Sequence, residues 1–313
     1  PYKMLYFQGK KDCSQFGHIR KENLMAERDY VIITDSGSDI DYRDLAKWGV
    51  NSVDLTFRFN DEGDPVPDRG MDKKEFYAKM RAGDVSKTAA CNVEDFTTAF
   101  EAALSQGSDI LYLGFSSGLS TTVNSGRIAA EELASKYSES RIVCIDTLCA
   151  SAGQGLIVWY AVKAKEEGKT LDENAEYVKS LIPNLCHWFT VDDLQYLKRG
   201  GRISAASAFA AGVLNIKPVL HVDDEGHLIN MQKVRGRSAS VKALFDKYEE
   251  LASDLKGPYF ISHGDCLEDA LALEDMVFSK YGHKAASISY VGTVIGSHSG
   301  PGTLAFFFLG EHR

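Results

Sequence analysis

The feature that most constrains this chain is an alternation, between Tyr30 and Asp146, of strand-length apolar runs with helix-length segments. Residues 30–34 are a short β-branched run that stops at a polar turn, Asp35-Ser-Gly-Ser-Asp39. A helix through Leu45 and Trp48 follows and ends at Gly49, a residue type that closes helices. Residues 50–59 read as a second strand, 61–70 as a Gly/Pro/Asp loop and 73–81 as a charged helix. Asn92, with Asp95 three positions on, opens a helix that stops at Gly107. Residues 109–115 and 141–146 are strands flanking a helix over 120–136. Apolar strands spaced by helices predict a parallel sheet covered on both faces.

The rhythm changes at Pro183, which follows a helix over 171–181. Strands are predicted at 187–191, 219–222, 228–234, 259–263, 286–291 and 303–309, and helices at 192–198, 204–215, 238–255 and 267–281. Asp223-Asp-Glu-Gly226 has the composition of a hairpin turn. The expectation is therefore a two-domain α/β protein. Its first domain, residues 25–184, has a parallel sheet flanked by helices. Its second, 185–313, is α+β with a mostly antiparallel sheet, and the cleft between them is the default ligand site.

Charge narrows the partners. With 35 basic and 44 acidic residues the net charge is −9, which excludes the basic footprint that nucleic acid or an anionic membrane requires. No apolar run approaches a membrane span; residues 304–309 are strand-sized. Six scattered cysteines form no C-x-x-C pair, which argues against zinc or a redox dithiol and for reduced thiols in the cytoplasm. Leu5-Tyr6-Phe7-Gln8-Gly9 resembles a tag-cleavage site, so residues 1–24 are set aside as added sequence, with Met25 as the native start.

Four polar stretches carry possible chemistry. Gly114-Phe-Ser116-Ser117-Gly118 joins a strand to a helix. Free N–H groups and the helix dipole favour an anion at such a place. The same residues also satisfy G-x-S-x-G, the nucleophile elbow of α/β-hydrolases. Lys87-Thr88 precedes the helix capped by Asn92. Gly200-Gly201-Arg202 allows close backbone approach beside a planar guanidinium fork. His298 lies in Gly296-Ser-His298-Ser-Gly300-Pro-Gly302, read as a glycine-dense loop between strands. No carboxylate pair, metal cluster, Walker A sequence or dinucleotide fingerprint is present, so no cofactor and no metal are expected. Read this far, the residues describe an anion-binding site beside an apolar surface. Capping and solvated surface polarity remain open for each stretch taken alone.

Taken together the motifs resemble one family. Residues 33–37, Lys87-Thr88, residues 116–120, Gly200-Gly201-Arg202-Ile203, Lys217-Pro218-Val219-Leu220 and residues 296–302 occur in the order seen in DegV proteins, bacterial fatty-acid-binding proteins. The resemblance spans about residues 30 to 310. It implies two α/β domains and a long-chain fatty acid in a tunnel at their interface. It also implies a partner ATP-dependent fatty acid kinase that makes the acyl phosphate, so that this chain is a substrate-binding subunit with no catalytic residue of its own. Thr88, Ser116 and Ser117 are implied as donors to the carboxylate, and Arg202 and His298 as the network that orients and charge-matches it. Thr88-Ala-Ala-Cys91 departs from the family's usual Thr-Ser-Gln-Pro, and Ser299 stands where Thr is frequent. The alternative is a serine esterase with Ser116 as nucleophile, His298 as base and Asp265 as acid.

Overall fold

The computed structural model describes residues 28–203 and 215–313. The set-aside N-terminal residues and the small-residue helix expected at 204–215 thus fall outside the described residues, Asn215 excepted.

Along the chain run β1 (Tyr30–Asp35), α1 (Tyr42–Trp48), β2 (Val50–Val53), β3 (Thr56–Phe59), β4 (Val66–Pro67), α2 (Lys73–Ala82), β5 (Ser86–Ala89) and α3 (Val93–Leu104). Next come β6 (Asp109–Gly114), α4 (Thr122–Ala134), β7 (Ile142–Asp146), α5 (Ala152–Glu166) and α6 (Leu171–Leu181). The remainder is β8 (Leu185–Thr190), α7 (Gln195–Arg199), β9 (Ile216–Val222), β10 (Leu228–Arg235), α8 (Arg237–Leu251), β11 (Tyr259–His263), α9 (Leu267–Tyr281), β12 (Ser287–Tyr290), α10 (Thr293–Ser299) and β13 (Leu304–Leu309).

The first sheet, β2-β1-β6-β7, is wholly parallel. The second, β10-β9-β8-β13-β11-β12, is antiparallel except for the β11–β12 pair. These are the two sheet types expected from the sequence. A small third sheet, β4-β3-β5, was not foreseen. Residues 50–59 are therefore two strands rather than one. Val53, Leu55 and Phe57 are all buried while the residues between them are more exposed. The period-2 pattern thus runs through the point where the chain leaves one sheet for another.

The described residues pack in layers. Helices α3 and α4 cover one face of the first sheet through Phe96, Phe100 and Val123. Helix α5 lies between the two sheets, where Leu156, Ile157 and Val158 meet Leu111 and Leu113 on one side and Phe189 and Phe307 on the other. Helices α8 and α9 cover the far face of the second sheet through Leu244, Tyr248, Leu273 and Val277. Alternation along β13 serves both of its faces: Ala305 and Phe307 look toward α5, while Leu304, Phe306 and Phe308 join the outer cluster. No described helix is long and apolar enough to cross a membrane.

His298 is not in a loop; it lies on α10. This one helix of the second half packs among Phe57, Phe76 and Tyr77 of the first, through Val294. Asp68, from the Gly/Pro/Asp loop, caps it: its Oδ1 accepts from the Thr293 N–H (2.7 Å), the Val294 N–H (3.2 Å) and the Thr293 hydroxyl (2.6 Å). A cap supplied from more than 200 residues away cannot be read locally.

Candidate functional site

A cavity of about 500 Å³ lies between the sheets, within the range of small-molecule sites. Thr88 on β5, Ser117 after β6, Arg202 after α7 and His298 on α10 line it together. The rest of its wall is largely apolar and includes Phe189 of β8, Val222 of β9, Leu228 of β10, and Ala305 and Phe307 of β13. The sheet supplies that wall because alternate residues of a strand share a face.

At the polar end Thr88 Oγ1 and His298 Nε2 are 2.8 Å apart. Arg202 bridges two backbone segments, donating from Nη1 to Gly200 O (2.6 Å) and from Nε to Leu119 O (3.2 Å). Burial lowers the pKa of its guanidinium. Burial also pushes His298 down to about 4, helped by the Arg202 and Arg199 charges. The imidazole is therefore neutral at pH 7. Of the two side chains, Arg202 thus carries the positive charge, and His298 offers a neutral ring bonded to Thr88.

The shift sets a pH dependence of stability. Below the ordinary value of 6.5 the unfolded chain takes up this proton, whereas the folded chain takes it up only near 4. Stability through His298 is thus present above about 6.5 and falls as pH drops toward 4. His298→Gln should flatten that part of the Tm-against-pH curve; an unchanged curve would refute a buried neutral ring.

Gly200 makes room for this ring. Its φ is −72°, ordinary for any residue, but a Cβ there would lie 2.1 Å from His298 Nδ1. Gly200→Ala should displace the imidazole, break the Thr88 contact and weaken anion binding by about 1–3 kcal/mol. Titration calorimetry with a fatty acid reads the loss, and undiminished affinity would exclude the contact as a determinant.

Ser116 is not with the other four. It is fully buried, and its hydroxyl donates to Gly226 O (2.9 Å) and accepts from the Gly118 N–H (3.2 Å). It ties the β9–β10 turn onto the loop after β6. Gly226, at φ +80°, fits there because a Cβ would lie 2.1 Å from Ser116 Oγ. The reading of Ser116 as a carboxylate donor is corrected accordingly. The esterase alternative also fails on geometry. Ser116 is bonded elsewhere, His298 Nε2 faces Thr88, and Asp265 pairs with Arg81.

Most of the N–H groups expected to face an anion in this loop are already bonded within the fold. Phe115 N–H donates to Asp35, Ser116 N–H to Cys149 O, Ser117 N–H to Asp146, and Leu119 N–H to Ser116 O. Asp35 matters to the loop's position. Its buried carboxylate also takes the Tyr112 hydroxyl and Gly37 N–H, and burial raises its pKa to about 6.

Sequence reading gave no site role to Ser151, His187, Ser299 and Thr303, which also line the cavity. Ser299 could have been taken from its place beside His298; the others had no local signal. Among the described residues no group of three or more His, Cys, Asp and Glu is arranged to hold a metal.

The match to known proteins follows this architecture. The family model described as an uncharacterised protein of the DegV family aligns with residues 29–311. The chain belongs to the DegV family. A DegV domain-containing protein of Clostridium perfringens is 44% identical, over 91% of this chain and 98% of the relative. A DegV lipid-binding protein from Thermotoga maritima superimposes with a TM-score of 0.79 at 29% identity, covering 91% of this chain and 99% of the other. A DegV family protein from Thermus thermophilus, whose structure is described by its fatty acid binding, gives 0.80 at 29% identity, covering 90% and 99%.

Proposed function

We propose that this DegV protein holds one long-chain fatty acid in the cavity and presents its carboxylate to a partner ATP-dependent fatty acid kinase. One observation carries the reading: a single cavity groups Thr88, Ser117, Arg202 and His298 in a wall that is otherwise largely apolar. A carboxylate taken from water needs hydrogen-bonded, charged partners, and a hydrocarbon tail needs none. Arg202 supplies the charge. Thr88 donates its hydroxyl proton to the carboxylate while accepting from His298 Nε2, which assigns the ring proton to that nitrogen. Ser117, the most exposed of the four, marks the side from which a second protein reaches the carboxylate. In the partner's reaction a carboxylate oxygen attacks the γ-phosphorus of ATP and ADP leaves, giving the acyl phosphate.

The kinase step rests on the family resemblance, and the cytoplasmic setting on the free state of the five described cysteines. Native mass spectrometry followed by solvent extraction tests the reading. A one-to-one mass excess that extracts as a long-chain fatty acid is the expected result. A protein that is clean in mass and cannot be loaded with palmitic or oleic acid would overturn it.

A further inference from the structure

Two carboxyl groups from the first half of the chain meet at α10 of the second. Asp39, in the turn after β1, and Asp68, in the turn after β4, both lie against Gly292, which precedes α10. A Cβ on Gly292 would stand 2.5 Å from Asp39 Oδ1 and 3.0 Å from Asp68 Oδ2. The two oxygens can be no farther apart than those distances laid end to end. They are provided for unequally. Asp68 Oδ1 accepts from the Thr293 and Val294 N–H groups and the Thr293 hydroxyl, with the Lys73 ammonium 3.3 Å away. Asp39 has one firm donor, the Ser151 hydroxyl on Oδ2. Its Oδ1 is shut from water and has no well-formed hydrogen bond among the described residues.

The surroundings favour a proton on Asp39. Asp68 opposes its charge and Lys73 favours it. Tyr77 of α2 also faces it, as a neutral phenol that donates to Val291 O (2.9 Å). From α5 and β11 come only the hydroxyls of Ser151 and Ser262, 2.9 Å apart, and from the start of α10 the Gly292 N–H. Burial outweighs these donors and, with the Asp68 charge, raises the Asp39 pKa well above its ordinary 3.8. Ser151 stands at φ +55° and ψ −148°, a backbone conformation ordinarily left to glycine, so its surroundings hold it in place. The cluster also adjoins the cavity: Ser151, Val291 and Val294 are in its wall, and α10 carries His298. Two like charges cannot both sit unscreened at such a place without cost.

We propose that Asp39 and Asp68 share one proton, carried on Asp39 Oδ1, and that its loss as pH rises sets two like charges against α10 and weakens the hold on the ligand. The ligand part rests on the fatty-acid reading above; the proton does not. The unfolded chain gives up the Asp39 proton above 3.8 while the folded chain keeps it, so this contribution to stability is fullest below 3.8 and is lost as pH rises through the folded value. Asp39→Asn keeps the shape and a donor but cannot ionise. Its Tm should draw ahead of the wild type by roughly 3 °C for each unit of pH above about 4, until the folded pair itself releases the proton. In an Asp68→Asn background, which keeps an oxygen for the α10 cap, that gain should shrink. Asp39→Gly suits the positive φ at this position and reads the same slope should the first variant fail to fold. Only slopes against pH are compared, so a uniform loss of Tm does not obscure the result. Profiles parallel to the wild type in both variants, or an undiminished gain in the Asp68→Asn background, overturn the shared proton. Competition against a fluorescent fatty acid over the same pH range reads the site. Wild-type affinity should fall about fivefold or more at the pH where the Tm gain stops, and Asp39→Asn should hold level. A wild-type affinity that stays level through that pH overturns the link to the ligand. Failure of any fatty acid to bind at any pH would instead overturn the broader reading, with the proton still decided by Tm.

Discussion

Ala305→Trp is expected to leave the protein unable to retain a long-chain fatty acid. Ala305 is buried on β13, paired across the sheet with Phe189, and its small side chain leaves the middle of the cavity open. An indole at this point fills space between the Arg202 end and the Phe307 end. Each methylene of tail that stays buried contributes about 0.8 kcal/mol, so excluding eight of them removes roughly 6 kcal/mol. That is more than about 10⁴-fold in affinity. The carboxylate cluster is untouched, so acids of a few carbons should bind the variant about as weakly as they bind the wild type. Solvent extraction of the purified variant, with titration by acids of increasing length, reads both effects. Stoichiometric palmitic acid in Ala305→Trp would show that the tail lies elsewhere.

Asp68→Ala should be among the most destabilising single changes at the site. The carboxylate is 2% exposed, caps α10 and accepts from the Lys73 ammonium at 3.3 Å. Its removal leaves the Thr293 and Val294 N–H groups without their partner and takes the negative charge from beside the Lys73 ammonium, which like the Thr293 hydroxyl keeps only the Asp68 carbonyl oxygen, a loss of about 3 kcal/mol. Asp39 lies close by, with its pKa raised by burial and by the Asp68 charge. Because α10 carries His298, fatty-acid affinity should fall together with Tm. Thermal unfolding with and without ligand checks this; an unchanged Tm would mean that α10 holds its place without the cap.

The readable and unreadable parts of this protein divide along physical lines. Strands β1, β6 and β7, with helices α3 and α4 between them, were legible because the strands are short continuous apolar runs and α3 carries its own capping box. Helix α5 was not read from the sequence. It is buried on all sides between two sheets, so it has no polar face to give a helical period. The break between β2 and β3 was hidden for a related reason: the alternation continues across it while the pairing partners change.

The site divides in the same way. Motif order identified Thr88, Ser117, Arg202 and His298, because polar and glycine-rich stretches beside apolar elements stand out in one dimension. Whether a given hydroxyl faces the cavity depends on what the opposite element offers. Ser116 and Ser117 are neighbours of one type, yet only the tertiary contact with Gly226 turns the first into a structural tie and leaves the second in the cavity wall. His298 was legible as a residue of interest but not as a neutral one, since its state is set by burial and by guanidinium groups 96 and 99 positions away in sequence. Composition and periodicity thus determined the layers and the order of the polar segments. Long-range packing decided which polar groups are spent on the fold and which remain to meet a ligand, because hydrogen bonds and desolvation act over a few ångströms of space, whatever the separation along the chain.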